Sequence, residues 1–136
     1  MTPRAAQPDV TVLIPAWRAE ATVAAAIRSA TGQAIGQDGV AVEVVVVDDA
    51  SPDGTSRVVQ GLAAADPRIR LIRRDRNGGA GAARNDGLAA ARGRWIALLD
   101  ADDSFAPGRL SRLLEAARAA RADMVADNLV LVAPGG

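Results

Sequence analysis

Residues 42–55 read Val42-Glu43-Val44-Val45-Val46-Val47-Asp48-Asp49-Ala50-Ser51-Pro52-Asp53-Gly54-Thr55, a short β-branched run that stops at two acids and a cluster of turn residues. Four valines in succession show no alternation, so a strand over 42–47 needs apolar cover on both faces. The residues after it favour turns and caps and open a helix over about 55–64. Strand, turn and helix in that order predict one unit of an α/β fold built on a mainly parallel sheet flanked by helices.

Working outward, the unit recurs. Residues 10–15 (VTVLIP) form a second buried run, stopped by Pro15, and residues 19–31 place Val23, Ala26, Ile27 and Ala30 at helical spacing before Gly32. Residues 68–73 alternate arginine with Ile69 and Leu71 and predict a half-exposed strand near an edge. A helix is expected over 80–91, closed by Gly93, then a strand over 95–99 (WIALL) and an amphipathic helix over 107–121 with Leu110, Leu113, Leu114 and Ala117 on one face. A last strand is expected over 123–132. Residues 1–9 read as a flexible lead-in, 10–132 as a single domain and 133–136 as a tail.

Composition narrows the chemistry. The 136 residues carry 16 basic and 16 acidic side chains, so no net charge draws the chain to nucleic acid or an acidic membrane. Aromatics are 2%, too few for a base-stacking platform, and no run of about 20 apolar residues could span a bilayer. Neither Cys nor His occurs, and every basic residue is Arg. Thiolate and imidazole chemistry, Schiff bases and the P-loop lysine are thereby excluded. Carboxylates must carry any metal or acid–base work.

Two strands end in acids: Asp48-Asp49, and Asp100-Ala101-Asp102-Asp103. In open parallel sheets the carboxyl ends of strands line the ligand crevice, so both clusters are expected to face one site. Asp100 and Asp102, with one residue between them, offer hard oxygen ligands suited to Mg²⁺ or Mn²⁺. A plainer reading also fits each residue. Asp103 or Ser104 could cap the helix that follows, Asp48 could turn back onto loop amides, and Glu20 could be a first-turn acid. The arginines at 68, 70, 73, 74 and 76 read as a solvated face offset by Asp66 and Asp75.

The ordered motifs VTVLIPAWRAE, EVVVVDDASPDGT, NGGAGAARNDGLAAARG and WIALLDADD resemble those of family 2 glycosyltransferases, in a match that runs from Val10 to about Val130, nearly all of the chain. The resemblance implies the Rossmann-like GT-A fold and a pocket for a nucleotide-diphospho-sugar, usually a UDP-sugar. In that picture Pro15, Ala16, Trp17, Glu20 and Asp49 surround the base, Asp100 and Ala101 approach the ribose or sugar, and Asp102 holds the metal. Gly79 lets backbone approach the donor, or serves only as a turn. Arg84 faces the diphosphate, braces the acid loop or is one more solvated helix arginine.

The implied reaction is inverting, metal-assisted transfer to a hydroxyl of a sugar or lipid-linked acceptor, in polysaccharide assembly in the cytoplasm or at the inner face of the membrane. The general base and the acceptor half are expected to lie outside this stretch. A non-catalytic nucleotide-sugar-binding module is the alternative. Two rivals fit less well. Residues 79–84 approximate a dinucleotide-binding glycine motif but place Arg84 at its third small position, and LLDADDS lies too near the C-terminus for a haloacid-dehalogenase-type phosphatase.

Overall fold

The structure is a computed structural model and describes residues 6–34 and 39–128. Four parallel strands, β1 (Val10–Ala16), β2 (Val42–Asp48), β3 (Ile69–Arg73) and β4 (Trp95–Leu98), form one sheet in the order β3-β2-β1-β4. The helices are α1 (Val23–Thr31), α2 (Thr55–Ala65), α3 (Ala80–Ala90) and α4 (Arg109–Ala120), and a 3₁₀ turn (Gly32–Ala34) follows α1. This is the expected α/β architecture, with β1 and β2 central and buried along their length and β3 at an edge.

The period of two along each strand divides the core. Val10, Val12, Ile14, Val44 and Val46 pack against Val23, Ala26 and Ile27 of α1, Val59 of α2 and Leu110 and Leu114 of α4. Leu13, Val45 and Val47 point the other way and pack with Ala83 of α3 and Ile72. Burying a valine contributes about 1.5–3 kcal/mol, so the four-valine run is a main source of stability. Gly87 lets α3 lie close to the sheet, because a Cβ there would overlap the Leu13 side chain and stand 3.2 Å from Val47 Cγ2. That helix covers β1 and β2 but not β4, whose Ile96 and Leu98 are 38% and 57% exposed on the same face.

The buried strands also carry one polar clamp. Glu43 Oε1 accepts from Thr11 Oγ1 at 2.6 Å and from the Arg92 amide at 2.6 Å, while Arg70 Nη2 lies 3.1 Å from Oε2. The Gly93 amide donates to Thr11 Oγ1 at 2.8 Å, so the turn between α3 and β4 is tied to the sheet. Burial pushes the Glu43 carboxyl up, but the bonds from Thr11 and Arg92 and the charge of Arg70 outweigh it and hold the pKa below the ordinary 4.5.

Several boundaries differ from expectation. Helix α1 starts at Val23 rather than 19, and the Ala19 and Glu20 amides in the turn before it donate to Thr55 Oγ1 at 2.9 Å and Asp53 Oδ2 at 3.4 Å. Helix α4 starts at Arg109, after Gly108 in a left-handed conformation. Residues 7–9, expected in a flexible lead-in, are fixed: Gln7 Nε2 donates to Arg92 O, Arg94 N to Pro8 O and Trp95 N to Asp9 O. Residues 123–128 form no strand, and the rest of the strand expected over 123–132 lies outside the described residues, as does the 133–136 tail. Arg70 is no solvated arginine, because the register that sets it beside β2 brings it to Glu43.

Two outcomes follow. Gly87→Ala gains helix propensity of up to about 1 kcal/mol yet overlaps Leu13, so urea unfolding should show a net loss of about 1–2 kcal/mol. Glu43→Gln should lose about 1–2 kcal/mol at pH 7. A depressed carboxyl stabilises the fold at neutral pH and loses that effect as pH falls through its folded-state pKa. The gap in melting temperature between wild type and Glu43→Gln should therefore close as the pH is taken below 4.5.

Candidate functional site

All four strands run parallel, so their C-terminal ends share one edge of the sheet. Strands β2 and β4 flank β1, which sets the two strands that lead into the acid clusters about 10 Å apart, two strand spacings, on either side of the β1 exit at Pro15-Ala16-Trp17.

Asp48 and Asp49 are successive residues and go to opposite faces. Asp48, fully buried, accepts from the Ser51 amide at 3.0 Å and from Ser56 Oγ, the latter in the first turn of α2. Asp49, also buried, accepts from the Gly78 amide at 3.0 Å through Oδ1 and from the Gly79 amide at 2.8 Å through Oδ2. Gly79 has φ of 88°, a conformation that suits glycine, and α3 begins at the next residue. Each acid thus latches the loop that opens the helix on its own side of the sheet.

Arg74 was expected on a solvated face and is instead the hub of this half. Its Nε lies 3.0 Å from Asp49 Oδ1, and its Nη1 lies 2.5 Å from Asp86 Oδ2 and donates to Ala82 O at 3.2 Å. A Cβ on Gly78 would come within 2.8 Å of Arg74 Nη2, so a glycine there leaves room for the guanidinium. The β2–β3 pairing, which ends at Asp48 beside Arg73, is the signal that puts the next residue next to Asp49.

The exit of β1 is built from unusual backbone. Arg18 and Ala50 have φ of 51° and 60°, and the Arg18 amide donates to Ser51 Oγ at 3.0 Å, joining the two loops. Trp17 is half exposed, with the Arg18 guanidinium carbon 4.6 Å from its ring centroid. Glu20 turns to the α2 side, where its Oε2 accepts from the Gly54 amide at 3.2 Å. It lies in a turn, not in the first turn of a helix.

Across β1, Ala101 is buried and Asp100, Asp102 and Asp103 are exposed. One carboxylate oxygen from each of the three lies within 4.8 Å of the others. Neither Asp103 nor Ser104 caps α4, whose N-cap is Gly108 with no side-chain bond. Asp103 therefore joins the cluster, which the spacing of the acids alone had left to Asp100 and Asp102. Partial burial, and then the charges of Asp102 and Asp100, push its carboxyl above the ordinary aspartate value. Three hard oxygens that repel one another fit a divalent cation, which would relieve the repulsion. Arg84 of α3 approaches this group, with Nη2 at 3.6 Å from Asp100 Oδ1.

The family model for glycosyl transferase family 2 matches residues 11–135. This chain belongs to that family. The succinoglycan biosynthesis protein ExoO of Rhizobium meliloti (strain 1021) is 52% identical over 129 residues, 95% of this chain and 35% of that protein. ExoU of the same strain is 38% identical over 94% of this chain and 35% of its own length. Among solved structures, S. aureus TarS 1-349 in complex with UDP superposes with a TM-score of 0.71 at 26% identity, over 82% of this chain and 32% of that one. The mannosyltransferase PcManGT from Pyrobaculum calidifontis in complex with GDP-Man and Mn²⁺ superposes at 0.70 with 28% identity, again over 82% of this chain and 32% of that one. These neighbours are glycosyltransferases of the GT-A type, which bears out the expected fold.

The family 2 chain spans about a third of the length of these relatives. Among its described residues, no helix is long and apolar enough to cross a membrane.

Arg74→Ala should remove the countercharge of buried Asp49 and the tie to Asp86, costing about 1–3 kcal/mol in urea unfolding. Arg74→Lys, a point charge without the planar fork, should recover less than half of that loss.

Proposed function

We propose that this chain is the donor-binding part of a glycosyltransferase that transfers a sugar from a nucleotide-diphospho-sugar, a UDP-sugar in the first instance, with a divalent cation and inversion. The observation that carries the reading is the convergence of three exposed carboxylates beside the β1 exit, at the carboxyl edge of a parallel sheet. Family membership and structural neighbours in complex with UDP and with GDP-Man and Mn²⁺ support it.

In this reading the base lies at the β1 exit against Pro15, Ala16 and Trp17. Asp49, already fixed by two glycine amides, faces it with the acceptor capacity its oxygens retain. Gly79 leaves the backbone open to the donor, and Asp100 and Ala101 border its ribose and sugar. Asp102, with Asp100 and Asp103 beside it, would hold Mg²⁺ or Mn²⁺. A cation held there would supply positive charge where negative charge grows on the departing diphosphate. None of the described acids is assigned as base for the acceptor hydroxyl.

Titration calorimetry with UDP, with and without Mn²⁺, tests the assignment. Wild type should bind UDP with a clear requirement for metal, and Asp102→Ala should weaken that binding by about tenfold or more. GDP in the same assay separates the two bases found with the structural neighbours. Absence of metal-dependent binding of either nucleotide would overturn the reading.

A further inference from the structure

We propose that Arg84 is an exchangeable counter-ion of Asp100: it occupies the carboxylate while the donor is absent and transfers its guanidinium to the diphosphate when the metal-nucleotide complex arrives. This inference rests on the donor-site reading above and adds a residue-level exchange to it.

The geometry has three parts. Arg84 reaches across from α3 to the loop after β4, and its Nη2 is 3.6 Å from Asp100 Oδ1, close enough for attraction and too long for a good hydrogen bond. Its side chain is 41% exposed and that of Asp100 is 61% exposed, so solvent screens the pair and little is lost on opening it. The Nε of Arg84 is buried and has no hydrogen-bond partner, so the root of the guanidinium is enclosed while its Nη2 end is turned to the acids. Among the described residues, no other cation forms an ion pair with Asp100, Asp102 or Asp103.

Arg84 and a divalent cation cannot both draw fully on Asp100, because they compete for one carboxylate and repel each other. A diphosphate beside the cation offers more negative charge than one aspartate, in a form the planar fork can grip with two nitrogens. The same guanidinium therefore opposes bare metal and favours metal with nucleotide. A simple brace for the acid loop would favour both, and a solvated arginine neither.

The test measures Mn²⁺ binding alone and UDP binding at saturating Mn²⁺ by calorimetry, on wild type, Arg84→Ala, Arg84→Lys and, as a control for net charge, Arg57→Ala on the exposed face of α2. Circular dichroism checks that each variant is folded. Arg84→Ala should bind Mn²⁺ about threefold more tightly and UDP about tenfold more weakly, and Arg84→Lys should fall between it and wild type. Arg57→Ala should match wild type in both. A parallel loss of Mn²⁺ and UDP affinity in Arg84→Ala would overturn the exchange in favour of a brace, and no change in either would overturn it outright. If wild type itself shows no metal-dependent UDP binding, the donor-site reading fails and the exchange fails with it.

Discussion

The alternation of side chains along β2 constrains everything at the carboxyl edge of this sheet. Two adjacent aspartates must leave the strand on opposite faces, and both are buried. A buried carboxylate without partners is costly, so each requires donors brought to it. The loop before α2 and the loop before α3 supply them, as amides of Ser51, Gly78 and Gly79 and the hydroxyl of Ser56. Neither loop can move far without stranding a charge, and the helices they open are held with them.

The two acid clusters consist of the same residue type and do different work because burial differs. At the end of β2 both carboxylates are buried and hold loops. At the end of β4 they are exposed, close together and short of donors, and partial desolvation, then the charges of Asp102 and Asp100, push Asp103 up. Position after a strand does not separate these roles; the partners do. Arg74 stands with the first group, holding α3 through Asp86 and Ala82 O to Asp49, and Arg84, one turn along α3 from Ala80, stands with the second.

Much of the fold was legible because apolar period and β-branching are local signals. Apart from the strand expected over 123–132, strands and helices fall within a few residues of their expected bounds, and the valine run is buried on both faces as a central parallel strand must be. That both acid clusters lie at one edge of the sheet followed from the rule for parallel sheets. What escaped depended on partners distant in sequence. The turn before α1 is tied to Asp53 and Thr55, the clamp on Glu43 comes from Thr11, Arg70 and Arg92, and the hub at Arg74 from the register of β3 on β2. Asp48 was legible as structural, since one of two adjacent acids has to turn back. The exclusion of Asp103 from capping was not, because it depends on where α4 begins.

The latch on Gly78 and Gly79 reaches into the time domain. Both residues sit in an exposed turn, where amide protons ordinarily trade with solvent as fast as the chemistry allows. Here their N–H groups point into a buried acid borrowed from another strand, so deuterium uptake should lag in a segment whose own composition promises rapid breathing. The tempo of that glycine turn is set by Asp49, thirty positions upstream of Gly79, rather than by the glycines themselves.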